Sequence, residues 1–151
     1  MLPRVIVWAI VAAALVHGCR REPEAAQSFT TQAKQNFSTG KEAADAFVDR
    51  LFKNPDQAYE LVEADYRKGC SRSQFRQGLS ILLPPAKTIT SVKYLEREDD
   101  WQGADGRTFS AFYYEVRSTD DFQARSKLGV NVLKSKDGYE VRRITVSAIA
   151  P

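Results

Sequence analysis

Cysteine and histidine, whose chemistry depends most on their neighbours, are rare in this sequence. It contains two cysteines, Cys19 and Cys70, and one histidine, His17. Nucleophilic Ser/His/Asp and Cys/His systems need a histidine base, and transition metals prefer imidazole or thiolate ligands to carboxylates alone. The sequence also has no glycine-rich phosphate loop, paired-cysteine motif or calcium loop. It therefore argues against most familiar catalysis and indicates no metal or cofactor site.

Cys19 directly follows a short apolar segment. After Arg4, residues 5–16 form an uninterrupted apolar run of 12 residues, and His17, Gly18 and Cys19 come next. This length suits the hydrophobic region of a secretory signal, which spans about 7 to 15 residues, whereas a membrane-spanning helix needs about 20. The segment therefore predicts export of the chain.

The residues up to Cys19 resemble the processing box of bacterial lipoproteins. Val16 and Gly18 fit that box, whereas His17 departs from the small or aliphatic residue usual there. The resemblance implies that residues 1–18 are a signal peptide and that acyl chains on Cys19 anchor the protein to a membrane. Stable anchoring needs two or more acyl chains, because a single acyl chain binds a membrane only marginally. An arginine rather than an aspartate after the cysteine implies the outer membrane, with the domain facing the periplasm.

An uncleaved N-terminal anchor is the alternative interpretation of residues 5–18. Arg20 and Arg21 would then lie on the exported side, against the positive-inside bias. We therefore favour cleavage, which would also remove the histidine. Lipid on Cys19 would leave Cys70 without a disulfide partner in the chain. We then interpret Cys70 as a small buried apolar side chain rather than as a reactive or intermolecular thiol.

A polar segment separates Cys19 from the predicted domain. Residues 19–38 lack a sustained apolar period and predict a tether, so the folded domain is expected at residues 39–151. Thr39 and Glu42 form a capping box at the start of this domain. Apolar residues then recur with helical spacing as far as Lys53, which predicts a first helix.

Two more helices are predicted from their capping residues. Asn54 fits an N-cap and Pro55 a first helical position, so a second helix begins here and continues to Gly69. Ser71 and Gln74 repeat the capping-box spacing and begin a third helix, which a pair of prolines ends.

From Thr88 onwards the apolar period changes from 3.6 to 2, which indicates strands. Four β-rich runs follow, at residues 88–98, 107–118, 123–132 and 139–148. The third alternates most cleanly and predicts a strand buried on one face. Turn-forming residues predict a loop at 99–106 and a hairpin turn at 135–138. In the last run, the apolar residues Val141 and Ile144 are out of alternation by one residue, which predicts a bulge at Arg142 and Arg143.

This order of elements predicts an α+β fold, with three N-terminal helices packed on one face of a curved four-stranded antiparallel sheet. The order, together with the stretches FVDRLFKNPDQAYELV, SRSQFRQGL and KDGYEVRRITV, resembles the nuclear transport factor 2-like superfamily in its small bacterial lipoprotein branch. The resemblance covers residues 40–149. It implies a cystatin-like cone, in which the helices close the wide mouth of a bent sheet around a pocket. Fold likeness does not choose among the uses of such a pocket.

Two functions compete for the pocket that the resemblance implies. In the first, which we favour, a noncatalytic cone binds an apolar small molecule or a partner segment through Tyr59, Phe75, Phe112 and Tyr114, although such rings more often fill a core. In the second, an isomerase or dehydratase uses Asp65 as a base with a tyrosine as hydrogen-bond donor.

A third function, assembly with another envelope protein, depends on the protein surface. Trp101 in the predicted loop would act as a recognition anchor or as a lid over the sheet. The net charge of +3, or +2 without residues 1–18, gives no strong case for nucleic acid as a partner.

Overall fold

The computed structural model describes residues 36–121 and 123–149. The predictions for the signal peptide, for Cys19 and for most of the tether therefore lie outside the described residues. Within the described ranges, no helix is both long and apolar enough to cross a membrane.

Helix α1 (Gly40–Lys53) confirms the first predicted helix. The Thr39 hydroxyl accepts a hydrogen bond from the backbone N–H of Glu42 at 3.2 Å. This bond satisfies one of the backbone donors that a helix start leaves free. The side chains at 43, 44, 47, 48 and 51 are buried, so one face of α1 packs against the sheet.

The prediction of one continuous second helix was wrong. The segment forms two short helices, α2 (Pro55–Tyr59) and α3 (Ala64–Gly69). Between them, Val62 makes a parallel bridge with Val141 of the last strand. The Val141 N–H donates to the Leu61 carbonyl at 3.0 Å, and its carbonyl accepts from the Glu63 N–H at 2.8 Å. These backbone groups pair with a strand, and the helix is interrupted there.

Helix α4 (Arg72–Leu82) confirms the third predicted helix and its complete capping box. The Ser71 hydroxyl accepts from the Gln74 N–H at 3.3 Å, and the Gln74 side chain accepts from the Ser71 N–H at 2.9 Å. Cys70, just before this box, is 4 % exposed and belongs to the hydrophobic core, as predicted. A 3-10 turn at Ala86–Thr88 leads into the sheet.

Four antiparallel strands form one sheet in chain order, which confirms the α+β class. They are β1 (Ile89–Gln102), β2 (Thr108–Ser118), β3 (Arg125–Ser135) and β4 (Gly138–Ala148). The predicted bulge is present, because Asn131 faces Arg143 whereas the next residue, Val132, faces Val141. Arg142 is the extra residue. At the predicted hairpin turn, Ser135 pairs with Gly138.

The loop between β1 and β2 is shorter than predicted. Strand β1 continues to Gln102, so Trp101 lies in the strand opposite Phe109 rather than in a loop. Turn-forming residue types at 99 and 100 suggested the loop, but both residues belong to β1, with a register irregularity between Glu98 and Trp101.

Helix cover differs across the sheet. Helix α1 packs mainly against β2, β3 and β4. Strand β3 is buried on both faces from Leu128 to Leu133, which corrects the prediction of a half-buried strand. On its outer face the Tyr113 ring lies close to Gly129, where an added Cβ would be only 3.0 Å from the ring. In contrast, 13 of the 14 residues of β1 are exposed.

Candidate functional site

An open groove of about 350 Å³ lies between helix α1 and the edge strand β1. Its apolar surface is formed by Val48, Phe52, Val92, Tyr94 and Tyr114. Three charged side chains, Asp45, Asp49 and Lys53, also line the groove. Ligand sites in proteins commonly combine such an apolar surface with a few polar groups.

The groove exists because the sheet extends beyond its helix cover. Residues 45, 49 and 53 follow one another at i, i+4 spacing on one side of α1, which places them towards the uncovered strand. On β1, Val92 pairs with Val116 and Tyr94 with Tyr114, so both share the inner face with core residues. Val92 and Tyr94 nevertheless remain 38 % exposed, because no other helix within residues 36–121 and 123–149 covers them.

A carboxylate and two aromatic rings surround an ammonium group at one end of the groove. Both Asp45 carboxylate oxygens lie 2.6 Å from the Lys41 Nζ atom, and Oδ1 also accepts a 2.7 Å bond from the Tyr114 hydroxyl. The same Nζ lies 4.2 Å from the centroid of the Tyr94 ring and 5.8 Å from that of Tyr114. We call Asp45, Tyr94 and Tyr114 the ammonium cage.

The Tyr114 hydroxyl acts as a fixed donor in this cage. Burial raises the pKa of Tyr114 well above its usual value, and the hydrogen bond to Asp45 raises it further. Because both causes disfavour the phenolate, Tyr114 stays protonated and holds the Asp45 carboxylate in place. This arrangement can bind and orient a cation.

A second ion pair lies further along α1. The Lys53 Nζ atom is 2.5 Å from Asp49 Oδ1, and both side chains are more than half exposed. The described structure shows no aromatic ring contact for Lys53, in contrast to Lys41. The two lysines therefore carry the same charge in different surroundings.

The four aromatic residues predicted to line a pocket do not lie together around the groove. The Tyr59 hydroxyl donates to the Cys70 carbonyl at 2.6 Å, and its ring packs 5.5 Å from Phe75. Phe112 is 1 % exposed and also belongs to the core. Of the four, Tyr114 alone lines the groove. The sequence contained Val92 and Tyr94 in an alternating run, but nothing showed that the helix layer would leave them uncovered.

Asp65 does not have the surroundings that a general base needs. Its side chain is 71 % exposed on α3 and lies 2.9 Å from the Lys68 ammonium. The hydrogen bond from Lys68 lowers the pKa of Asp65. A carboxylate base near neutral pH needs the opposite shift in a dry pocket, so we do not propose Asp65 as a base.

Trp101 covers a neighbouring ring and is also exposed. Its ring stacks on Phe109 with centroids 6.3 Å apart, and its indole N–H donates to Glu98 at 3.1 Å. Half of the residue, 51 %, still faces solvent. Glu98 also accepts a 2.6 Å bond from the Tyr113 hydroxyl. Burial and this bond raise the pKa of Tyr113 to about 12.

Comparison of the chain with protein-family models, curated proteins and solved structures found no match. Among the residues that the structure describes, no group of three or more His, Cys, Asp or Glu side chains is arranged to hold a metal ion.

Proposed function

We propose that this protein is a membrane-anchored bacterial envelope lipoprotein whose domain binds an apolar small molecule, without catalysis, in the groove between α1 and β1. The proposed anchor is a lipidated Cys19, and the proposed location is the periplasmic side of the outer membrane. The resemblance to nuclear transport factor 2-like domains supports this proposal, because it implies a ligand pocket between the helices and the sheet.

Uncovered apolar surface on β1 is the observation that carries the binding proposal. Among the described residues, five large apolar side chains are exposed, and all except Ile81 lie on β1. Removing apolar surface from water favours association. Clustered exposed apolar surface commonly marks a binding site in soluble domains. Val92 and Tyr94 face the groove and offer this surface to a ligand.

Binding in the groove is tested by two matched serine substitutions on β1. Val92 lines the groove and is 38 % exposed, whereas Leu95 lies outside its lining and is 42 % exposed. We expect Val92→Ser to weaken the binding of the neutral amphiphile octyl glucoside. Binding is measured by the NMR chemical shifts of residues in α1 and β1. Leu95→Ser should leave binding unchanged. Equal effects of the two variants, or no shifts in the wild type, would contradict the proposal.

Anchoring is tested by mass spectrometry of the protein extracted from membranes. We expect a chain that begins at Cys19 and carries acyl groups. The Cys19→Ser variant should be neither cleaved nor acylated. An unmodified thiol at position 19 would contradict the lipid anchor, and a chain that retains residues 1–18 would argue for the uncleaved anchor.

A second candidate function is that of an assembly subunit in an envelope complex. The exposure of Trp101 favours it, because tryptophan is enriched among residues that dominate protein interfaces. Crosslinking in intact cells followed by purification compares the wild type with Trp101→Ala. Ile81→Ala is the control, since Ile81 is also exposed but lies on α4. Partners retained by Trp101→Ala would count against Trp101 as an anchor.

A further inference from the structure

We propose that the groove takes a single-chain amphiphile with an ammonium head group, and that this group occupies the ammonium cage in place of Lys41. This inference rests on the proposed function, since it names the ligand class of the same groove. The apolar chain of the ligand would lie along Val48, Phe52 and Val92.

The geometry around Lys41 shows which head group the cage accepts. Its Nζ atom already contacts a carboxylate at 2.6 Å and a ring centroid at 4.2 Å. A cation within about 6 Å of a ring centroid is attracted by the negative face of the ring. The Tyr114 hydroxyl also donates to this carboxylate, at 2.7 Å, and helps to fix its position. The cage is thus built for a compact cation before any ligand arrives.

Charge complementarity argues against an anionic ligand. Asp45, Asp49 and Lys53 line the groove, but Lys53 pairs with Asp49, and an anionic head group in the cage would lie beside the Asp45 carboxylate. Tyrosine ring faces also repel anions. The apolar side chains that continue the groove, Val48 and Phe52, suit the chain of an amphiphile better than a hydrated free ion.

Lys41 acts in this arrangement as a built-in competitor. It lies four residues before Asp45 on the same helix, and its side chain is 38 % exposed. Exposed pairs at this spacing are weak, so Lys41 can leave the cage without disturbing the fold. Removal of its charge should therefore improve the binding of an external ammonium group. If Lys41 only supported the shape of the groove, removal of its charge would weaken this binding.

The experiment compares octyltrimethylammonium, octyl glucoside and octyl sulfate on the full-length protein by NMR titration. The octyl chain keeps all three probes monomeric over a wide concentration range. We expect octyltrimethylammonium to bind about three- to tenfold more tightly than octyl glucoside, and octyl sulfate to bind least. Equal binding of the three probes would overturn the ammonium inference and leave the apolar groove standing. No binding of any probe would overturn the proposed function itself.

Comparison of Lys41→Gln with Lys53→Gln separates the effect of emptying the cage from the effect of removing one positive charge. Both variants remove one lysine four residues from an aspartate, but only Lys41 lies over the rings. We expect Lys41→Gln to tighten octyltrimethylammonium binding about threefold or more, and Lys53→Gln to change it less. Equal gains in both variants, or weaker binding in Lys41→Gln, would overturn the inference.

Two further measurements complete the test. Tyr94→Leu keeps apolar surface in the groove but removes the nearer ring, so it should reduce the preference for the cationic probe while octyl glucoside still binds. A short peptide with one lysine between leucines serves as the last probe. Tighter binding of this peptide than of octyltrimethylammonium would overturn the assignment to a small amphiphile.

Discussion

Strands β3 and β1 belong to one sheet but have opposite surroundings. Six consecutive residues of β3, from Leu128 to Leu133, are buried, whereas all residues of β1 after Ile89 are exposed. Both strands carry apolar side chains on the inner face. On that face their difference lies in the cover, because α1 packs on the sheet mainly over β2 to β4.

This contrast assigns different tasks to the two regions. The covered strands supply the core, which stabilises the fold by removing apolar side chains from water. The uncovered strand contributes less to the core, and in the proposed function it presents its side chains to a ligand. Its charged residues and register irregularities are features that protect an edge strand from aggregation.

The largest expected effect on stability is a difference between alanine substitutions of two aromatic residues. Phe112 is 1 % exposed in the core, whereas Trp101 is 51 % exposed on β1. Phe112→Ala should lower the free energy of unfolding by about 3–5 kcal/mol, because it leaves a cavity. Trp101→Ala should cost about 1 kcal/mol or less, since it loses one ring pair at the surface. Urea denaturation measures both, and similar losses would contradict the contrast.

Two valines, one on each strand, test the same contrast with a single residue type. Val130 is fully buried on β3, and Val92 is 38 % exposed on β1. We expect Val130→Ala to destabilise the domain by about 2–3 kcal/mol, from lost transfer free energy and a residual cavity. Val92→Ala should change stability by about 0.5 kcal/mol. A loss for Val92→Ala as large as that for Val130→Ala would contradict the contrast between the two strands.

Gly129 tests the outer face of the covered region. An added Cβ would lie 2.5 Å from the Thr145 hydroxyl oxygen and 3.0 Å from the Tyr113 ring. Gly129→Ala should therefore destabilise the domain by about 1–3 kcal/mol through overpacking. Gly69→Ala is the control, because nothing lies within 4 Å of its Cβ position. Thermal unfolding of both variants should show a loss for Gly129 alone.

The smallest effect is a dependence on pH. Glu115 on β2 accepts bonds from Arg125 at 2.7 and 2.8 Å and from Arg117 at 3.2 Å. These bonds lower the pKa of Glu115. The carboxylate therefore contributes stability above its unfolded pKa of about 4.3, and this contribution is lost as the pH falls through the lower folded pKa.

The stability difference between wild type and Glu115→Gln should shrink in the same pH range, as measured by urea denaturation from pH 6 downwards. Glu98→Gln on exposed β1 provides the comparison. Hydrogen bonds from Tyr113 and Trp101 lower the pKa of Glu98 as well. We expect a smaller change for Glu98, because solvent screens an exposed group. A larger change for Glu98 than for Glu115 would contradict this order.

Local signals in the sequence predicted local structure well. The capping box of Ser71 and Gln74, the start of α2 at Pro55 and the bulge at Arg142 depend on neighbouring residues, and all three are present. The interruption between α2 and α3 was missed, because it depends on pairing with Val141, which lies far along the chain.

The groove was missed for a similar reason. Alternation in the sequence shows which side chains of a strand share a face, but it does not show where the helix layer ends. Tyr59, Phe75 and Phe112 were therefore expected in a pocket and lie in the core, whereas Val92 and Tyr94 line the groove. The i, i+4 pair of Lys41 and Asp45 was readable from the sequence, but the rings beside it were not.

The bridge between Val62 and Val141 has a consequence for the order in which the domain assembles. Synthesis produces the helical half first, but the backbone partners of Leu61 and Glu63 belong to the last strand. Until that strand emerges, water must satisfy these groups, because buried backbone donors and acceptors need partners. Contacts that span so much of the chain slow folding. The junction between α2 and α3 should thus become protected from hydrogen exchange only together with β4.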